Sequence, residues 1–142
     1  MIDPEELSAF RQLIEHGIPF NRHLGIQLLE LGQGQCRLLL PYRPELLGDG
    51  RRQALHGGAI STVIDTCGGF AVWSAGSIQD RVATIDLRVD YLKPAVACDI
   101  VAHSRIRLLG NRVGNVSTMV YAMDKPETII AEGRSVYNIR RI

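Results

Sequence analysis

His56-Gly57-Gly58-Ala59-Ile60-Ser61-Thr62-Val63-Ile64-Asp65 opens the most helical run in the chain, which continues to about Ala75. At 1.5 Å per residue a helix over 57–75 is roughly 28 Å long, enough to cross a whole small domain. It is apolar nearly all round, so it needs protein on most sides. A membrane span between Gly57 and Gly76 is a poor alternative. Asp65 near its middle would cost ~2.5 to 3.5 kcal/mol on insertion scales, and glycine recurs at 57, 58, 68, 69 and 76. The run reads as a helix buried in a protein core.

Everything downstream reads as strand. Between Val82 and Lys93, Ala83, Ile85, Leu87, Val89 and Tyr91 alternate with Thr84, Asp86, Arg88 and Asp90, which predicts one core face and one polar face. Pro94 closes that strand. Strands over 99–109, 113–123 and 128–139 follow, separated by Gly110-Asn111 and by Asp124-Lys125-Pro126-Glu127. Both separators are turn chemistries, so an antiparallel meander is expected.

Upstream, Asp3 caps a helix over 3–16, with Pro4 in its first turn, Glu6 as capping-box partner and Leu7, Phe10, Leu13 and Ile14 as its apolar stripe. Gly17 and Pro19 stop it. A turn through Phe20 to Gly25 leads to strands 26–31 and 35–40, joined by Gly32-Gln33-Gly34. The polar stretch from Tyr42 to Leu55 reads as a loop long enough to carry function. One long helix between a strand pair and a meander is an α+β layout, in which the sheet must wrap the helix to bury it.

The 142 residues fit one domain, 1–142, with 46% hydrophobic and 22% charged residues, which argues against disorder. A formal charge of +1 points to no nucleic acid or other polyanion. Cys36, Cys67 and Cys98 are odd in number and widely spaced, so neither a disulfide framework nor a zinc site is expected, and a reducing cytoplasm is the default. The start, Met1 to Glu6, is acidic where a signal peptide would be basic. His16, His23, His56 and His103 lack ligand spacing, and no metal is expected.

Two readings of the glycine pair are open. Gly57 and Gly58 can simply make a tight turn into the helix. They can also leave the first amides unshielded at the positive dipole end, where a ligand oxyanion is stabilised. Asp65, flanked by Val63, Ile64, Cys67 and Phe70, is expected to be buried. It is either a structural acid or a catalytic base or nucleophile. Asp65 lies seven residues beyond Gly58, on nearly the same helix face but about 10 Å along the axis. A carbonyl held at the glycine amides is out of its reach, so joint action requires Asp65 of a second copy and hence a dimer. Gly68 and Gly69 fit either close approach of a partner helix or ligand, or a packing notch against the sheet.

With these residues in place, the chain resembles the phenylacetate-pathway (PaaI-like) thioesterases of the hotdog fold, in which a curved antiparallel sheet wraps a long central helix. The resemblance runs through Asn21, Leu24-Gly25-Ile26, His56-Gly57-Gly58-Ala59, Asp65, the segment Thr84 to Ala95 and the Gly110 turn. It implies hydrolysis of an acyl-CoA, medium-chain or aryl, without cofactor, at a site shared by two subunits of a dimer or a dimer of dimers. A glycine amide at 57 or 58 would polarise the thioester carbonyl. Asp65 of the other subunit would act as general base or nucleophile, Thr84 would position the water, and His56, a substrate-binding candidate, resembles a helix-entry residue more than a base. Many relatives carry an asparagine six residues before the histidine, where this chain has Gly50; Asp49, Arg52 and above all Gln53 are candidates to replace it. Arg112, then Arg105 and Arg107, are candidates for the CoA phosphates. The rival readings are a non-catalytic acyl-CoA-binding or effector-sensing module and a dehydratase of the same fold. The dehydratase would need a different histidine-acid motif, which is not found.

Overall fold

The computed structural model describes residues 2–142; Met1, at the head of the acidic start, lies outside them. Six antiparallel strands form one sheet in the order β1-β2-β6-β7-β8-β5. They are β1 (Gln27–Gly32), β2 (Gln35–Leu40), β5 (Arg81–Tyr91), β6 (Ile100–Leu109), β7 (Val113–Ala122) and β8 (Ile129–Arg140). A two-stranded hairpin, β3 (Leu47–Asp49) with β4 (Ala54–Leu55), organises what the sequence read as loop. The expected meander is β6, β7 and β8. The central helix α3 (Gly57–Trp73) touches all six strands of the sheet, the α+β hotdog arrangement.

Burial explains why α3 forms although glycines interrupt it. Val63, Ile64, Cys67 and Ala71 are wholly excluded from solvent, and Ile60, Phe70 and Val72 nearly so. Each large side chain there contributes roughly 1.5 to 3 kcal/mol by leaving water. No helix among the described residues is long and apolar enough to cross a membrane. All three cysteines are free; burial pushes the Cys36 thiol well up, and the neighbouring Cys67 Sγ–H donates to the Cys36 carbonyl.

Three expectations need correction. The N-terminal helix is two helices: α1 (Pro4–Gln12), capped by Asp3, passes into a single π-helical turn (Leu13–Gly17), and α2 (Pro19–Leu24) follows where a turn was expected. Proline at its first position starts α2, and Gly25 at φ 75° ends it in the left-handed conformation. Second, α3 stops at Trp73.

Third, the clean alternation of β5 breaks. Thr84 pairs with Tyr137 and Asp86 with Val136, leaving Ile85 unmatched in a β-bulge. Leu87 and Val89 keep the core face, as expected. The extra residue turns Val82 and Thr84 inward with them and leaves Ile85 57% exposed.

Candidate active site

The first four amides of α3 have no partners within the helix and must find them elsewhere. His56, the cap residue, serves most of them: its Nδ1 accepts from the Gly58 N–H at 2.8 Å, and its carbonyl accepts from Ala59 and Ile60 at 3.0 and 3.4 Å. Nδ1 is therefore unprotonated, and a neutral ring carries its proton on Nε2. Among the described residues the Gly57 N–H alone of these four has no acceptor. The pair of glycines thus divides its work. The Gly58 amide is used by the cap, and a Cβ there would lie 2.8 Å from the ring nitrogen. Gly57 keeps a free donor at the positive end of the helix.

Tyr91 frames that donor. Its hydroxyl donates to the Gly57 carbonyl at 2.9 Å, and a Cβ on Gly57 would stand 3.2 Å from the Tyr91 ring. The cleft in front, about 410 Å³, is bordered by Asp49, Arg52, His56, Gly57, Tyr91 and Lys93. The hairpin below is pinned by the His56 N–H on the Leu46 carbonyl at 2.8 Å. Gly48 must be glycine there, because a Cβ would lie 2.8 Å from the His56 Cα.

Two turns along, Asp65 is half-buried rather than buried. The helix keeps its one charge on the open face, which avoids the desolvation cost of a dry carboxylate. The Thr84 hydroxyl donates to Asp65 Oδ1 at 2.8 Å. This contact exists because the bulge at Ile85 aims Thr84 inward. From the other side Tyr137 donates its hydroxyl to the Asp65 backbone carbonyl at 2.8 Å. Burial drives the Tyr137 phenol far up, so it remains a donor. Gly68 proves to be the notch that admits this tyrosine: a Cβ there would collide with Tyr137 Oη and lie 2.9 Å from Ser135 Oγ.

The remaining candidates are placed less favourably. Gln53, at φ 54°, turns its amide back onto the Gly50 carbonyl at 2.7 Å and does not border the cleft. Arg52 is paired with Asp49 at 3.0 Å, and that hydrogen bond holds the Asp49 carboxyl below its usual range. Gly50 itself faces open space, so nothing fills the place of the asparagine. Arg112 borders a separate cleft with Arg140 and Arg141. Its carbonyl accepts from Ile139, which pairs with Val82, so Arg112 sits at the Thr84 end of β5, away from Tyr91 and Gly57. Arg105 and Arg107 lie in β6, where Arg107 is the unmatched residue of a bulge. No three His, Cys, Asp or Glu side chains are grouped so as to hold a metal among the described residues.

Sequence reading gave no site role to Tyr91, placed on a core face and within the segment of resemblance, or to Ile18, Phe20, Asn21 and Trp73, which line a second cleft beside Asp65. Asn21 entered only as a point of resemblance. The alternation in β5 was the misleading signal, since it put Thr84 and Tyr91 on opposite faces whereas both reach α3.

The sequence profile of the thioesterase superfamily matches residues 53–129. A Halobacterium salinarum protein described as a candidate esterase is 37% identical, over 98% of this chain and 96% of its own. The medium/long-chain acyl-CoA thioesterase YigI of Escherichia coli K12 is 26% identical, over 95% and 94%. A crystal structure described as from the thioesterase superfamily superimposes with a TM-score of 0.86 at 31% identity, covering 96% of this chain and 99% of that one. The PaaI protein of the Escherichia coli phenylacetic acid operon shares the fold, with a TM-score of 0.80 at 20% identity over 97% and 91%.

Proposed function

The chain belongs to the thioesterase superfamily, and from that membership we propose that it hydrolyses medium-chain or aryl acyl-CoA at a site built from two copies of itself. The observation that carries the reading is a carboxylate, Asp65, held by Thr84 at 2.8 Å on the same helix whose head offers the free Gly57 amide. The acyl-CoA substrate comes from the likeness to YigI, whose name specifies medium and long chains.

Chemically, the Gly57 N–H donates to the thioester carbonyl, and Asp65 of the partner subunit takes a proton from water as its oxygen adds to the carbonyl carbon. The oxyanion collapses, the C–S bond breaks, and the departing thiolate takes up the proton that Asp65 holds. Free acid and CoA thiol result. Thr84 donates to Oδ1 and leaves Oδ2 for the water.

Eight residues of helix separate Gly57 from Asp65, roughly 12 Å. Hydrogen bonds to one substrate reach only about 3 Å from each group, so one chain does not supply both. The edge of β5 supplies the means of pairing. It is 11 residues long, pairs with β8 on one side only, and leaves most of its side chains exposed. Long open edges pair with other strands. A two-fold axis at this edge would run the two α3 helices in opposite directions, bringing Asp65 of each toward Gly57 of the other.

A thiol-release screen across aliphatic and aryl CoA thioesters tests the reading. Asp65→Asn should lower turnover by ~100 to 10,000-fold with the fold intact. Wild-type rates in that variant would remove Asp65 from the mechanism. Saturable acyl-CoA binding without thiol release would favour the non-catalytic alternative, for which the unfilled place at Gly50 is the one favouring observation.

A further inference from the structure

Beside Asp65 the open face of α3 forms the floor of a second cleft of about 250 Å³. Its polar end is Asp65 with Thr84. The rest is mainly apolar, with Ile18 and Phe20 on one side, Phe70 and Trp73 on α3 and Val82 on β5; Asn21, Thr66 and Tyr137 also border it. Phe20 is 56% exposed, a large apolar side chain left in solvent at the cleft wall. The opposite wall is rigid: Trp73 stacks on Phe70 with ring centroids 5.2 Å apart, and Phe10 meets both edge-on. The Phe20 wall is fixed as well, because the amide of buried Asn21 donates to the Ile14 carbonyl at 3.1 Å and ties α2 to the π-helical turn. Gly69 contributes no side chain, which keeps the floor open. Residues 18–21 lie outside the matched superfamily segment, 53–129, so this wall is a feature of the N-terminal part of the chain.

We propose that this cleft receives the acyl tail, with the thioester end at Asp65, and that Phe20, Trp73 and Gly69 set the longest tail accepted. The inference rests on the hydrolase reading only for where the thioester lies. An apolar cavity of about 150 Å³ holds one benzene. By that measure the cleft has room for roughly ten carbon atoms. Its substrates are then aliphatic tails of about six to ten carbons, or a single aryl ring on a short spacer.

The test compares wild type with Phe20→Ala, which lengthens the cleft, and Gly69→Leu, which fills it. A Cβ on Gly69 meets only the Tyr137 ring, at 3.4 Å, so the added side chain extends into the cleft without displacing backbone. Each methylene that loses its place lowers kcat/KM about fourfold. Gly69→Leu should lower the octanoyl-to-butyryl ratio of kcat/KM by about tenfold or more. Phe20→Ala should raise the dodecanoyl-to-octanoyl ratio by a similar factor. Ratios within threefold of wild type in both variants overturn the proposal. Calorimetry with S-octyl-CoA and S-butyl-CoA, thioethers that cannot be hydrolysed, separates this inference from the hydrolase reading. If no acyl-CoA is turned over but Gly69→Leu abolishes the preference for octyl over butyl, the cleft assignment stands and the hydrolase reading falls. If wild-type affinity is indifferent to tail length, the cleft assignment falls.

Discussion

Mixing two inactive variants tests whether the site spans two chains. Asp65→Asn removes the proposed base, and Gly57→Val removes access to the free amide, because even a Cβ there would stand 3.2 Å from the Tyr91 ring and a branched side chain projects past it. Within one chain these groups are roughly 12 Å apart along α3. Contacts of about 3 Å at each end of a substrate leave most of that gap unspanned. In a heterodimer, one site takes Asp65 from the valine variant and Gly57 from the asparagine variant and is whole; the other carries both lesions. Random exchange makes half the dimers mixed, so about a quarter of wild-type sites return. Each parent should retain ~1% of wild-type turnover or less, so recovery stands about 25-fold above background. The variants are co-refolded, heterodimers are counted by native mass spectrometry, and thiol release is measured on the mixture. Activity that stays at the parental mean while heterodimers are present would place base and amide in the same chain and refute the two-copy site.

Three further outcomes follow from single contacts. Thr84→Val removes the donor to Asp65 Oδ1 at nearly constant shape; at a half-exposed carboxylate such a bond is worth about 1.5 kcal/mol, so kcat should fall about tenfold, with Thr84→Ser restoring it, and equal loss in both variants would deny the hydroxyl its role. Gly68→Ala should destabilise by ~1 to 3 kcal/mol in urea unfolding despite the better helix propensity, because the methyl collides with Tyr137 Oη and loosens its bond to the Asp65 carbonyl; an unchanged midpoint would show that the notch has slack. The Asp80 carboxyl is held below its usual range, chiefly by the Ser77 N–H, then by the Ile142 N–H and Arg141. A depressed folded-state value stabilises above the unfolded pKa near 3.9 and is lost as pH falls below it. Asp80→Asn should therefore lower the thermal midpoint at pH 7 and converge with wild type as pH falls below about 4, whereas a constant offset would assign Asp80 a role independent of its charge.

How far the site could be read in advance depended on whether each residue obeyed a local rule. Asp65 and the glycines stood out because a charge and four glycines are costly within an apolar helix, and such exceptions are visible in one dimension. Thr84 entered by resemblance, and its facing is not what the alternation of β5 implies, since nothing there announces that Ile85 drops out of register with β8. Tyr91 was hidden because its hydroxyl reaches a backbone carbonyl 34 positions away, a contact set by how the edge strand crosses the head of α3. Phe20 and Trp73 carry no signal of their own: each looks like an ordinary apolar residue of a helix, and only the fold of the N-terminal segment onto α3 makes them walls of one cleft. Gln53 failed for a local reason that composition cannot show, its amide being used within its own turn.

The glycines of α3 also explain why this helix can hold a site at all. Gly68 and Gly69 each cost about 1 kcal/mol relative to alanine in a helix interior, so α3 would be marginal on its own. Burial decides the matter. Ile60, Val63, Ile64, Phe70 and Val72 are almost fully enclosed, and at roughly 1.5 to 3 kcal/mol each they outweigh the glycine cost several-fold. The sheet therefore fixes the helix, and the helix need not be a strong one. That surplus permits three departures from good helix design on a single element: a bare donor at Gly57, a notch at Gly68 for the tyrosine beneath Asp65, and an open floor at Gly69. Gly57 faces Tyr91, whereas Gly68 and Gly69 both border Tyr137, so filling the head of the helix should leave the other two functions standing, while the notch and the floor share one neighbour.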